Sequence, residues 1–187
     1  MANKNIIWIV IGVLVAVGVI YLLVTTDLTK LTQNNQSQEN PGKVGDVLVP
    51  GTSAVSDKGE VLGANGQVAK NDAEWGTSGA PQQSGPLDVK SLTGDTVKIG
   101  VVAGNFTPNS FKAKAGKAVV VSLTSNDNFT HSFHFSDVSL KALAIGVGPG
   151  ETRAITFNAP NKKGDYQFFC DLPGHRDRGE VGTMIVE

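Results

Sequence analysis

The hydrophobic and polar positions divide the chain into three stretches of different character. The first, Ile6–Val24, is an apolar run in which only Trp8 and Tyr21 carry polar side-chain atoms. At about 1.5 Å of rise per residue, a helix of this length nearly spans a bilayer core of about 30 Å. The run is longer than a secretory h-region, and no small-x-small cleavage site follows it. The pattern predicts an uncleaved transmembrane anchor over residues 1–26 with its amino terminus in the cytoplasm.

The second stretch, residues 27–92, shows no sustained periodicity. It begins with a Gln- and Asn-rich segment and ends with one rich in Gly, Ser, Pro and Gln, and neither can bury enough apolar surface to fold alone. Between them lies a weak repeat, Gly59–Leu62 and Gly66–Ala69, which fits either a small hairpin or a biased linker. We interpret the whole stretch as a flexible linker that lets the following domain move above the membrane.

The third stretch, residues 93–187, consists of short alternating or apolar runs separated by Gly and Pro turns. These runs predict strands at Thr96–Ala103, Ala118–Thr124, Thr130–Phe135, Thr152–Phe157 and Asp165–Cys170, with a closing strand at the carboxyl end. Val138–Ile145 fits a short turn. Several short strands at regular spacing are typical of an all-β sandwich or barrel.

The net charge and the cysteine content limit the functions that the chain can have. The net charge of -1 offers no electrostatic argument for binding nucleic acid or an acidic membrane surface. A single cysteine, Cys170, excludes an intramolecular disulfide. That thiol is therefore a packed core group, a nucleophile or a metal ligand.

The three histidines and the cysteine fall in one part of the chain, between His131 and His175. On the predicted strand, His131 shares a face with Phe133 and Phe135, so it points into the core, whereas His134 points outward. Two imidazoles and one thiolate form the trigonal set that favours copper. Zinc sites usually have four ligands with paired local spacing, and a chain with one cysteine offers no Cys-x2-Cys pair. A cysteine protease needs a base beside the thiol and a substrate cleft, and nothing in the sequence near His131 or His175 suggests one.

The closing segment resembles the ligand loop of the cupredoxins, the small blue copper proteins. The resemblance covers about residues 95–187, and its most specific part is Cys-Asp-Leu-Pro-Gly-His at positions 170–175. Further matches lie upstream, in the same order, at Phe106-x-Pro108, Lys114-Ala-Gly116, Asn126-Asp127, His131-Ser132 and Pro149-Gly-Glu-Thr152. The resemblance implies a Greek-key β-sandwich with one mononuclear copper held by His131, Cys170 and His175. It also implies that the Asn126 amide tethers the cysteine-bearing loop.

One position departs from the cupredoxin pattern. Where the family commonly has an axial methionine, alignment on Gly182-Thr183 places Glu180. Met184 lies nine residues past His175, inside the closing strand, and is expected to pack in the core. We place Glu180 ahead of Met184 as the axial ligand, with a solvent-facing Glu180 as the alternative. A carboxylate oxygen is harder than a thioether sulfur, so it should favour Cu(II) and lower the reduction potential.

These observations predict a membrane-tethered electron carrier, not an enzyme, whose copper domain lies outside the cytoplasm, in the periplasm or at the cell surface. Its expected partners are redox proteins that dock near His175. We expect it to bind neither nucleic acid nor a small-molecule substrate. The charged run Arg176–Arg178 is either a solvated loop or the rim of that docking surface. The alternatives are a copper-binding or copper-delivery module, and a non-blue cupredoxin with an open redox site.

Overall fold

Two β-sheets packed face to face form the carboxyl-terminal half of the chain. The structure, a computed structural model, describes residues 45–102 and 104–187. Within these residues the strands are β1 (Val97–Val102), β2 (Asn105–Thr107), β3 (Ser110–Ala113), β4 (Ala118–Ser125), β5 (His131–Phe135), β6 (Ala144–Val147), β7 (Thr152–Asn158), β8 (Gly164–Phe169) and β9 (Val181–Val186). Short 3₁₀ helices span Val89–Ser91, Val138–Leu140 and Arg176–Arg178. The predicted all-β sandwich is confirmed.

The strand order brings the chemistry-bearing segments to neighbouring strands. One sheet has the order β2-β1-β4-β7 and the other the order β3-β9-β8-β5-β6. The pairs β1/β4 and β3/β9 are parallel, and the remaining pairs are antiparallel. Because β5, β8 and β9 lie side by side, the start of β5, the end of β8 and the start of β9 meet at one end of the second sheet.

Aromatic side chains from both sheets fill the space between them. Phe133, Phe157 and Phe168 are fully buried. The rings of Phe133 and Phe168 lie 4.7 Å apart between centroids. Any side chain at Gly182 would collide with the Phe168 ring, so the start of β9 can approach β8 this closely only with glycine there. This packing holds the first residues of β9 next to the end of β8.

The predicted strands correspond to β1, β4, β5, β7, β8 and β9. Three short strands were not predicted: β2, β3 and β6. The segment Ser110–Ala113, for example, pairs in parallel with the last strand of the chain. Strands of three or four residues carry too little periodicity to recognise, and β3 in addition depends on a distant partner.

The expectation of a flexible linker fails for the part of it that the structure describes. Residues 45–92, hereafter the N-terminal arm, belong to the same compact unit as the sandwich. Val49, Val61 and Ala80 are fully buried in it. Val49 joins Leu92 in a small apolar cluster on the outer side of the first sheet. The arm is therefore part of the folded domain.

Strand β7 is the main support of the arm. Ser84 N–H donates to the Ala154 carbonyl and Leu87 N–H to the Thr152 carbonyl, each at 2.8 Å. Thr52 Oγ1 lies 2.8 Å from Thr156 Oγ1. The arm thus covers the outer edge of the first sheet, where β7 would otherwise expose unpaired backbone groups.

The predicted anchor, Ile6–Val24, lies outside the residues that the structure describes. Within residues 45–102 and 104–187, no helix has the length and apolar character needed to cross a bilayer.

Candidate metal centre

Four side chains meet where the ends of β5, β8 and β9 come together. His131 begins β5, Cys170 follows β8, His175 precedes the 3₁₀ turn Arg176–Arg178, and Glu180 comes just before β9. Each offers one ligand atom, and these atoms all lie within 4.8 Å of one another. Sequence positions almost fifty residues apart are thus brought to one point by the pairing of three strands.

The segment from Cys170 to Glu180, hereafter the ligand loop, is closed by its own backbone. Cys170 N–H donates to the Glu180 carbonyl at 3.0 Å, and Glu180 N–H donates to the His175 carbonyl at 3.2 Å. Gly174 and Gly179 adopt positive φ angles of 76° and 111°, which glycine reaches without steric cost. These bonds and turns point the three side chains of the loop toward His131.

Glu180 stands at the centre of the cluster. Its Oε2 lies 2.9 Å from His131 Nδ1 and 3.0 Å from His175 Nδ1. Cys170 Sγ lies 3.6 Å from the same His175 nitrogen. Two imidazole nitrogens, one thiol sulfur and one carboxylate oxygen therefore converge on a common space.

The cluster is shielded from water. Glu180 and Cys170 are fully buried, His131 is 1% exposed and His175 is 9% exposed. The second carboxylate oxygen of Glu180, Oε1, is buried and has no hydrogen-bond partner within the described part of the chain. A buried carboxylate with an unsatisfied oxygen is costly unless a positive charge lies nearby. The donor set and this oxygen both fit a bound cation.

The electrostatics of the cluster also favour a bound cation. Burial raises the pKa of the Cys170 thiol, and hydrogen bonds from Ser132 and Leu172 only partly oppose it. Burial also acts to raise the pKa of Glu180, but hydrogen bonds with His131, Cys170 and His175 outweigh it and hold that pKa below its ordinary value. A cation at the cluster would stabilise the thiolate and pair with the ionised carboxylate.

Ser132, the residue after His131, provides the contacts to the sulfur. Its backbone N–H donates to Cys170 Sγ at 3.3 Å, and its hydroxyl lies 3.5 Å from the sulfur. The hydroxyl donates its one proton to Asp171 Oδ1 at 2.6 Å and accepts from Asp171 N–H at 3.0 Å. Ser132 therefore ties β5 to the first residues of the ligand loop.

Within the described residues, the Asn126 side chain makes no hydrogen bond to the ligand loop, so the expected tether is not found. Its amide lies over Gly100 of β1, where a side chain on the glycine would collide with it. Its backbone N–H donates to the Val101 carbonyl at 2.9 Å. Position in the sequence suggested Asn126, but the side chain that reaches the cysteine loop belongs to the residue after His131.

The remaining predicted residues lie outside the cluster. Met184 is fully buried within β9, in the hydrophobic core that also contains Phe111 and Phe168. His134 points away from the cluster, as its strand position predicted, and its Nε2 lies 3.3 Å from Asp171 Oδ2. The Arg176 guanidinium stacks 4.4 Å over the Phe169 ring and donates to Gln167 Oε1 at 2.9 Å. This part of the charged run is thus bound to the surface of β8.

Comparison with known proteins identifies the domain type. A family model described as a cupredoxin-like domain matches residues 77–186, more than half of the chain. The match begins inside the N-terminal arm, before the first strand of the sandwich.

Several solved structures are similar to this chain. Auracyanin from the photosynthetic bacterium Roseiflexus castenholzii is 23% identical, with a TM-score of 0.44, over 50% of this chain and 97% of its own. Auracyanin A from Chloroflexus aurantiacus, described as a "blue" copper protein, is 20% identical with a TM-score of 0.44, over 49% of this chain and 98% of its own. Amicyanin from Paracoccus versutus is 22% identical with a TM-score of 0.42, over 55% of this chain and 92% of its own.

Proposed function

The chain belongs to the cupredoxin-like family, whose members are electron-transfer copper proteins, and we propose that it carries single electrons between protein partners. The ligands of its one copper ion are His131 Nδ1, His175 Nδ1, Cys170 Sγ and the carboxylate of Glu180. When bound, copper supplies one-electron exchange between its two oxidation states.

The convergence of the four donor atoms is the observation that carries this proposal. Imidazole nitrogen and thiolate sulfur are the ligands that suit copper, and both kinds face the same buried space here. Oε2 of Glu180 reaches both histidines from within the loop. The carboxylate is therefore the fourth ligand in our assignment, and Met184 is a core residue.

Glu180 should set the redox character of the site. A carboxylate is a hard, negatively charged donor, so it stabilises Cu(II) relative to Cu(I). We expect a lower reduction potential and an absorption spectrum displaced from that of a site with a thioether in this position.

The protein holds these donors in place and limits their contact with water. His131 is fixed at the start of a strand, and the ligand loop is closed by backbone hydrogen bonds. A rigid, dry site changes little when the charge of its metal changes, which suits rapid electron exchange.

His175 is the expected site of electron entry and exit. It is the least buried of the four residues, and it follows the exposed Pro173 and Gly174 in the ligand loop. A redox partner that docks on this loop would lie closer to His175 than to the other three side chains. Docking near His175 is therefore part of the proposal.

Membrane attachment and location are also part of the proposal and rest on the sequence alone. The apolar run Ile6–Val24 would anchor the chain, and the copper domain would lie outside the cytoplasm. Protease treatment of intact cells or spheroplasts should then digest the copper domain. Protection of the domain until the membrane is lysed would contradict this location.

The first experiment is to add Cu(II) to the purified full-length chain and record absorption and EPR spectra. We expect a thiolate-to-copper charge-transfer band that is lost in Cys170→Ser. Absence of the band in the wild type, or its survival in Cys170→Ser, would refute the copper assignment.

A second measurement separates electron transfer from copper delivery. In stopped-flow mixing with a small redox protein, the loaded chain should exchange electrons rapidly and retain its copper. The complete burial of Cys170 and Glu180 favours retention, because a buried ligand is poorly accessible to an acceptor. Transfer of copper to a chelating acceptor faster than electron exchange would support the delivery function instead.

A further inference from the structure

A second carboxylate contacts the outer ring nitrogen of His131. Asp127 Oδ1 lies 2.9 Å from Nε2, while Nδ1 of the same ring faces the cluster. Ionised carboxylates accept hydrogen bonds and cannot donate them, so Nε2 must carry the proton in this contact. With Nε2 protonated toward Asp127, Nδ1 is the ring nitrogen left to bind a metal, which would replace the proton that Nδ1 shares with Glu180 Oε2.

Asp127 is held in position by the turn that connects β4 to β5. The same Oδ1 accepts the Phe129 N–H at 2.9 Å. Ser125 Oγ closes the turn by donating to the Phe129 carbonyl at 2.8 Å. The Asp127 side chain is only 16% exposed, and that of His131 is 2% exposed. The carboxylate therefore belongs to a local structure built independently of the ligand loop.

We propose that Asp127 is a positioning residue of the copper centre. It fixes the orientation and tautomer of His131 and, through its negative charge, makes Nδ1 a stronger donor. This inference rests on the proposed function, since it concerns the same site. It goes beyond that function by giving a role to a residue outside the four ligands.

The effect of this charge has a definite direction. A carboxylate on the far side of a metal-binding imidazole increases the basicity of the ring, and loss of such a partner typically lowers metal affinity by 10–100-fold. The more highly charged Cu(II) should gain more from the stronger donor than Cu(I) does. Asp127 and Glu180 thus act on the potential in the same direction from opposite sides of His131.

The test is the substitution Asp127→Asn in the full-length chain. An asparagine Oδ1 can still accept from Phe129 N–H and from His131 Nε2–H, so these two contacts are retained while the charge is lost. The matched control is Asp137→Asn, at the other end of β5. Asp137 Oδ1 accepts the Ser139 N–H at 2.9 Å in a similar turn, away from the cluster.

We expect Asp127→Asn to lower Cu(II) affinity by about tenfold or more, with a smaller change in Cu(I) affinity. A tenfold change in the ratio of the two affinities corresponds to a rise of about 59 mV in the reduction potential of a one-electron couple. Asp137→Asn should leave the affinities and the potential at their wild-type values. Asp127→Glu, which keeps the charge, should stay closer to wild type than Asp127→Asn.

A spectroscopic readout tests the hydrogen bond itself. In the diamagnetic Cu(I)-loaded chain, the His131 Nε2 proton should give a downfield NMR resonance that exchanges slowly with water. In Asp127→Asn this resonance should move upfield, because a neutral acceptor forms a weaker hydrogen bond than a carboxylate.

The outcomes separate this inference from the proposed function. If the wild-type chain shows no thiolate-to-copper band, both fail. If the band is present but Asp127→Asn leaves the Cu(II) affinity and potential unchanged, only the role of Asp127 is refuted. Equal shifts in Asp127→Asn and Asp127→Glu, or in Asp127→Asn and Asp137→Asn, would also refute it, because the charge at this position would not be their cause.

Discussion

The ligand loop and the N-terminal arm are both irregular segments, but different contacts hold them in place. The loop is closed by short-range bonds, such as that from Glu180 N–H to the His175 carbonyl. The arm is held by β7, which lies more than sixty residues further along the chain, through contacts such as Ser84 with Ala154. The loop carries the chemistry of the site, whereas the arm buries apolar surface and covers a sheet edge.

This difference predicts that changes in the two segments have separable effects. A substitution among the ligands should alter copper binding and spectra while leaving most of the fold intact. A substitution in the core of the arm should lower stability and leave the spectrum of the loaded protein unchanged. Four variants, ordered from the largest expected effect to the smallest, test this separation.

Replacement of the sulfur should have the largest effect. Cys170→Ser removes the soft donor, so we expect complete loss of the charge-transfer absorption and much weaker Cu(II) binding. The free energy of unfolding of the apoprotein should change by only about 1 kcal/mol, because a serine oxygen can still accept the Ser132 N–H. Absorption titration and urea unfolding of the apoprotein measure the two quantities. A collapse of apoprotein stability would show that the loop is also a main structural support.

Glu180→Met should change the kind of site without abolishing it. A neutral thioether in place of the carboxylate favours Cu(I), so the reduction potential should rise by more than about 60 mV, the equivalent of tenfold in relative affinity. The absorption should move toward that of an ordinary blue site. Voltammetry and visible spectra test this change. An unchanged potential and spectrum would remove Glu180 from the ligand set.

Val49→Ala tests the arm. Val49 is fully buried in the apolar cluster beneath the arm, so its truncation should cost about 1–3 kcal/mol in the free energy of unfolding. The copper spectrum should be unchanged. Val47→Ala is the matched control, because Val47 is 52% exposed and surface changes usually cost less than about 0.5 kcal/mol. Equal destabilisation by the two variants would mean that the arm does not pack as described.

Ser132→Ala should give the smallest change, and it should affect both the copper site and the stability of the fold. The backbone N–H to the sulfur remains, but the hydroxyl contacts with Cys170 and Asp171 are lost. Loss of the hydroxyl removes the Asp171 contacts that hold the ligand loop against β5, so the potential should shift slightly and the stability should fall by about 1 kcal/mol. Ser136→Ala, whose hydroxyl makes an exposed contact with Gln167 at 3.3 Å, is the control. A potential unchanged from that of the control would assign Ser132 to structure alone.

The sandwich and its strands could be predicted from the sequence because each long strand carries its own pattern. In β5, alternation placed His131, Phe133 and Phe135 inside, and all three are buried. The short strands β2, β3 and β6 have only three or four residues each, too few to show such a pattern, and β3 also pairs with a strand at the far end of the chain. The arm lacks it as well, because its order comes from β7 and from turns, not from a periodic apolar face.

The candidate site, like the fold, could be predicted in part from the sequence. The spacing of Cys170 and His175 and the inward direction of His131 identified three of the clustered residues, and the family pattern drew attention to Glu180. The contacts of Ser132 and Asp127 were not predictable, because both are short polar side chains in or beside a turn. The partners of Ser132 become known only when β5 lies against the ligand loop, and those of Asp127 only when the turn before β5 is folded.

The sequence by itself determined the type of donor atoms, the sheet-forming segments and the place where the family pattern is broken. Residue chemistry and local periodicity are sufficient for these, since they depend on neighbours within a few positions. Only the folded chain could show that the Glu180 carboxylate lies between the two histidines, that Asp127 meets the outer nitrogen of His131 and that the arm packs on β7. The first and the last depend on distances between residues far apart in sequence, which strand pairing and core packing set together. The Asp127 contact spans only four residues and depends on how the turn before β5 folds.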